Sequence, residues 1–264
     1  MQETGNKPIT WCHIHIPKTG GTSLRKMFAD NFGDGYFSAF SLLEHKKLRL
    51  AETQSIVSSH WNWLRCYSDH RLSLELPFDT DLVDLKAIAF IREPVDQIVS
   101  QYHFQQSKSN REMVLKDASL NDFVESRYRT KNGWSHHLQI RRLAGITQNK
   151  SIADISELIA RRKLLLFPLD QFDLACVVLE RLHPNEFRDL RYTQKNRGPE
   201  RSEETPAETE CLIRELAAPD FRLYALAQKT LAAAAAEVFE NNLAQNQAAT
   251  DFHNRSISKE ASVL

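Results

Sequence analysis

Apolar residues along this chain gather in short runs that stop at turn formers, with polar stretches between them. Trp11 to Ile16 is one such run; it stops at Pro17, passes two glycines and gives way to Ser23-Leu24-Arg25-Lys26-Met27-Phe28, whose spacing is helical. Strand, loop and helix follow in that order. A run from Ser55 to Ser59 predicts a second short strand that leads into His60-Trp61-Asn62-Trp63. A third strand, Leu85 to Ile91, stops at Arg92-Glu93-Pro94, where proline suits the first turn of a helix from Val95 to Gln105. Lys163 to Pro168 predicts a fourth strand, and Phe172 to Leu182 the helix behind it.

Strands separated by helices imply an α/β fold in three layers around a central parallel sheet. From Ser107 to Ala160 the period is helical with no strand, which predicts a helical insertion over about 107–160 that could wall a substrate cleft. Beyond the acidic stretch Glu200 to Glu210, two C-terminal helices are expected. The second should start near Asp220, an N-cap following Pro219, and run through the alanine-rich Leu231 to Ala236. Residues 1–243 read as one domain; residues 244–264, polar and without an apolar period, read as a disordered tail.

Composition narrows the class without choosing a function. With 34 basic and 34 acidic side chains the formal charge is zero, so no global field argues for nucleic acid or an anionic membrane as partner. Basic residues do outnumber acidic ones between Lys108 and Arg142, where an anionic acceptor could dock or a helical face could simply be solvated. No apolar run approaches the roughly 18 residues needed to span a bilayer, and Met1 to Thr10 lacks the apolar stretch of a signal peptide. Cys12, Cys66, Cys176 and Cys211 are widely spaced and form no C-x-x-C pair, so reduced thiols and a cytoplasmic protein are expected.

The chemistry concentrates in Pro17-Lys18-Thr19-Gly20-Gly21-Thr22-Ser23. Two glycines let backbone approach an oxyanion, and Thr22 and Ser23 add hydroxyl donors at the positive end of a helix. A Walker A loop would carry Gly-Lys followed by Ser or Thr; here Lys18 precedes the glycines. The cradle is therefore of a different kind.

Ile14 to Leu24, containing that string, resembles the 5′-phosphosulfate loop of Golgi-type carbohydrate sulfotransferases, especially the heparan sulfate 2-O- and 6-O-sulfotransferase group and bacterial relatives. The resemblance implies a P-loop-like fold and sulfuryl transfer from 3′-phosphoadenosine 5′-phosphosulfate to a hydroxyl, with Pro17, Lys18, Thr19, Gly20, Gly21, Thr22 and Ser23 binding the donor. The family's second motif is matched by Ala89 to Val95 with Ser100, which implies that Arg92 and Ser100 bind the 3′-phosphate. Asn132 to Gly145 is similar to the family's helix ending in Leu-Ala-Gly, although Ser135, His136, His137 and Gln139 stand where relatives carry Asn-x-Gln-Thr-Arg. Asn196 and Arg197 fall in a segment similar to a loop that closes on the nucleotide.

Transfer to a hydroxyl needs a base, and histidine titrates in the right range. His60 is the expected base because it ends the second predicted strand and opens a segment similar to the His-Ala-Asp-Trp element of the 6-O-sulfotransferases. Lys18 would neutralise the leaving phosphate oxygen. His15 alternates with apolar residues and reads as a core histidine. Trp61 and Trp63 could stack on a sugar or belong to the core; His136 and His137 are further candidates for the substrate cleft. No Cys or carboxylate set completes a metal site around these histidines. The expected acceptor is a carbohydrate or glycoconjugate hydroxyl. A P-loop nucleotide-dependent kinase and a non-catalytic nucleotide-binding protein of the same fold are the alternatives.

Overall fold

A computed structural model describes residues 7–38, 48–106, 118–129, 138–145, 151–192 and 205–261. The first strand, β1 (Ile9–Ile14), leads into α1 (Gly21–Phe32), a short 3-10 turn and β2 (Tyr36–Phe37). Then come α2 (Leu50–His60), β3 (Cys66–Asp69), β4 (Asp84–Ile91), α3 (Pro94–Gln106), α4 (Leu120–Tyr128), α5 (Gln139–Ala144) and α6 (Ile152–Ala160). The chain continues through β5 (Leu164–Pro168), a second 3-10 turn, α7 (Phe172–Leu182), α8 (Ala207–Leu216), α9 (Ala218–Val238) and α10 (Asn242–Ala261).

All strand pairings are parallel and the order is β2-β3-β1-β4-β5. Period-two alternation sends neighbouring residues to opposite faces. Cys12, Ile14, Ala87, Ala89 and Ile91 join one core with side chains of α2 to α6 and α8; Trp11, Ile88, Phe90 and Phe167 join the other with α1, α7 and α10. Helix α9 contributes to both, through Leu223 and Ala227 to the first and Leu231, Ala234 and Ala235 to the second. The three-layer α/β architecture is the one expected. Described residues of the 107–160 insertion fold as helices.

Three local expectations are corrected. Residues Ser55 to Ser59 are helical, part of α2, because parallel neighbours β2 and β3 need a crossover between them. Thr53 and Val57, one turn apart, are its buried stripe, and Glu52 Oε2 accepts the Arg49 N–H at 2.7 Å to cap its start. The second correction, at the tail, is larger: residues 242–261 form α10, which packs on α7 with Phe252 and Ser256 fully buried. Finally, Asp220 lies inside the first turn of α9 rather than capping it. Its carboxylate accepts instead from the backbone N–H groups of Gln139 (2.8 Å) and Ile140 (2.9 Å), capping α5.

Candidate active site

Strand β1 delivers the glycine-rich segment to the end of the sheet where β1, β3 and β4 finish. There Thr19 donates its hydroxyl to the Ile16 carbonyl (2.9 Å), closing a tight turn, while Lys18 and Gly20 take left-handed backbone angles, φ 69° and 76°. The first hydrogen bond of α1 runs from Leu24 N–H to the Gly20 carbonyl, so the amides of Gly21, Thr22 and Ser23 precede the helical ladder, and no N-cap side chain accepts from them. Those three donors sit at the positive end of the helix dipole, suited to an oxyanion. Lys18 lies with Nζ 4.3 Å from the Phe104 ring centroid. The loop is tied to α3 by Gln97, whose side-chain amide donates to the Pro17 carbonyl at 3.3 Å.

Gly21 is required by more than its backbone. A Cβ there would lie 1.6 Å from His15 Nε2, so the imidazole of His15 occupies the space above its Cα. His15 is buried, as expected of a core histidine, but it is also the floor of the loop.

On the other flank, β1 and β4 pair with His13 opposite Ile88. Arg92 directly follows the end of β4, at the same end of the sheet where β1 runs into the loop. Ser100 lies six residues into α3 and is half-buried. The sheet ladder ends at Ile91 opposite Pro168, and the Arg92 backbone is met beyond it by Gln139: its Oε1 accepts the Arg92 N–H (3.0 Å) and its Nε2 donates to the Arg92 carbonyl (2.8 Å).

Other expected residues are not brought there. His60 closes helix α2, which runs back along the sheet towards the start of β3. Its carbonyl accepts from Trp63 and Leu64, and the Leu64 carbonyl in turn accepts the hydroxyl of Thr10 near the start of β1. Most of the length of β1 separates that end from the loop. Trp61 and Trp63 are 42% and 39% exposed, hence not core. His136, His137, Asn196 and Arg197 lie outside the described residues.

The strand-end position expected of His60 belongs to His70, one residue past β3. Its ring stacks on His15 at 3.7 Å between centroids, and Nδ1 is 3.0 Å from the His15 carbonyl oxygen. A carbonyl only accepts, so Nδ1 carries the hydrogen, and in the neutral ring the lone pair is on Nε2. Asp69 sets the turn: Oδ1 accepts from Arg71 N–H, and the carboxylate also binds the Arg71 guanidinium and the Tyr67 hydroxyl. Burial opposes the charged form of Asp69, but those hydrogen bonds outweigh it and hold its pKa low. His13 completes the row, stacked 5.5 Å from His15 and 2.7 Å from Ser68 Oγ; burial, then the charges of His70 and Arg25, push its pKa down to about 3. Sequence reasoning missed His70 because Cys66-Tyr67-Ser68-Asp69 is not an apolar run. The signal that could have found it is the Asp-x-Arg turn beside it.

Residues 4–224 match the family described as the sulfotransferase family. Among solved structures, the crystal structure of a sulfotransferase from Alicyclobacillus acidocaldarius is similar at 14% identity and a TM-score of 0.47, covering 86% of this chain and 98% of that one. No curated protein matches the chain.

Proposed function

The chain belongs to the sulfotransferase family, and from that premise we propose that it moves a sulfuryl group from 3′-phosphoadenosine 5′-phosphosulfate to a carbohydrate hydroxyl. One observation carries the reading: an α1 N-terminus whose first amides precede the helical ladder, with Lys18 beside it and the His15–His70 stack against Gly21. The chemistry fits a doubly anionic phosphosulfate better than a metal-bound triphosphate, since Lys18 comes before the glycines and the residue that follows β4 is Arg92 rather than a carboxylate.

When bound, the donor supplies a sulfuryl group whose bond to the nucleotide phosphate breaks as an acceptor oxygen bonds to sulfur from the opposite side. The amides of Gly21, Thr22 and Ser23, with the Thr22 and Ser23 hydroxyls, hold the 5′ end. Lys18 swings from Phe104 to neutralise the phosphate oxygen that is released. Arg92 and Ser100 take the 3′-phosphate, and Asn196 and Arg197 contribute from the chain's C-terminal half. His70 receives the acceptor's proton on Nε2; the base role expected of His60 is assigned to His70, since His60 ends a helix away from the loop. Positioning and charge stabilisation supply most of the rate. Among the described residues no helix is long and apolar enough to cross a membrane.

A thermal-shift comparison with 3′-phosphoadenosine 5′-phosphate and with ATP-magnesium tests the donor, and radiolabelled sulfate transfer to fractionated glycans, glycolipids and metabolites tests the acceptor. Stabilisation by the former nucleotide and label in a glycan fraction are expected. Stabilisation by ATP-magnesium alone would overturn the donor reading, and label confined to non-carbohydrate fractions the acceptor reading.

A further inference from the structure

Beyond Ile91 no strand among the described residues pairs with Arg92, because β5 ends at Pro168 opposite Ile91. A backbone amide and carbonyl there still need partners. The primary amide of Gln139 supplies both at once, accepting from Arg92 N–H and donating to the Arg92 carbonyl, as a further strand residue would. Gln139 is itself fully buried and opens α5, and its own N–H is held by the buried carboxylate of Asp220, with Ile140 N–H on the other oxygen. At its far end α5 is tied by the Leu143 carbonyl to Leu74 N–H and closed by Gly145. A rigid chain of contacts thus runs from α9 through α5 to the backbone from which the Arg92 side chain departs.

We propose that Gln139, held by Asp220, is a positioning residue that aims the Arg92 guanidinium at the donor's 3′-phosphate, and so sets the preference for 3′-phosphorylated nucleotides. This rests on the reading of Arg92 as the 3′-phosphate ligand. In this proposal Gln139 acts through Arg92, whose backbone N–H and carbonyl it holds, by fixing the φ and ψ of that residue. An arginine fork binds phosphate well only when both N–H groups point at it, so a small rotation of its backbone forfeits much of the contact.

Calorimetry with 3′-phosphoadenosine 5′-phosphate and with adenosine 5′-phosphate reads the effect as a ratio of affinities. Gln139→Met should lose about tenfold in affinity for the 3′-phosphorylated nucleotide, the scale of one charge-assisted hydrogen bond, and nothing for the other. Gln139→Glu keeps the acceptor and loses the donor, and serves if the methionine protein does not fold; Asp220→Asn should lower the ratio in the same sense by a smaller factor. If folded Gln139 variants keep the ratio, or if both nucleotides weaken alike, Gln139 is only structural and the inference fails while the donor reading stands. If the unaltered protein shows no preference between the nucleotides, the reading of Arg92 fails first.

Discussion

His15 has contacts on two sides that fix the geometry of the loop. It lies against Gly21 on one side and stacks on His70 on the other, while its carbonyl holds His70 Nδ1. Any β-carbon at position 21 would displace the ring, and with it the base proposed to act at the loop. His70→Gln should therefore lower kcat by about 10²–10⁴ and leave nucleotide affinity unchanged, the range for loss of a general base. His60→Gln should leave kcat within about threefold, since removing a group that takes no part in proton transfer removes no transition-state interaction. Steady-state rates with the affinity of 3′-phosphoadenosine 5′-phosphate measured alongside decide it, and the reverse pattern would return the base to His60.

Among the elements, α10 shows how a helix can pack without an apolar pattern that sequence reading would notice. Its contact stripe is Ala244, Ala248, Phe252 and Ser256, four residues apart and mostly small, so mean hydropathy stays low while the helix still seats on α7. Near the Phe252 anchor, His253 reaches Asp173 of α7 at 3.0 Å. Phe252→Ala should cost about 3–5 kcal/mol of unfolding free energy, the usual cost of emptying a phenylalanine site. Denaturant unfolding measures it, and a loss below about 1 kcal/mol, the size of a surface change, would mean that α10 is not seated as described. Helix α2 hid itself in the same way, with only Thr53 and Val57 buried, so that Ser55 to Ser59, which contains Val57, imitated a short strand.

For the whole molecule, buried ionisable groups set the pH range of stability. His13 is held at about 3 and His183 at about 4, in both cases first by burial, well below histidine's ordinary value of 6.5. A depressed folded pKa means that stability is fully present above the unfolded value and is lost as pH falls from about 6.5 towards 4. Asp220 works in the opposite sense: burial, only partly offset by two backbone N–H groups, raises it to about 7, so its contribution is largest in acid and is lost between about 4 and 7. Burial raises Glu93 and Glu180 in the same sense as Asp220 but less strongly, and the two histidines outweigh these carboxyl groups. The melting temperature should fall between pH 7 and 4.5, and Asp220→Asn, which removes the largest opposing contribution, should steepen that fall. Melts across this interval check both, and a profile that stays flat in the unaltered protein would contradict the burial of these histidines.

By itself the sequence determined the loop, the strand before it, the Ile91-to-Arg92 strand end and the α/β class, because each is written in consecutive residues whose turn formers and period act locally. Only the tertiary structure decided which histidine packs on His15 and which side chain holds the Arg92 backbone. His70 reaches His15 across 55 positions and Asp220 reaches Gln139 across 81. Contacts of that span depend on strand order and on how helices settle over the sheet, and local spacing carries no record of either.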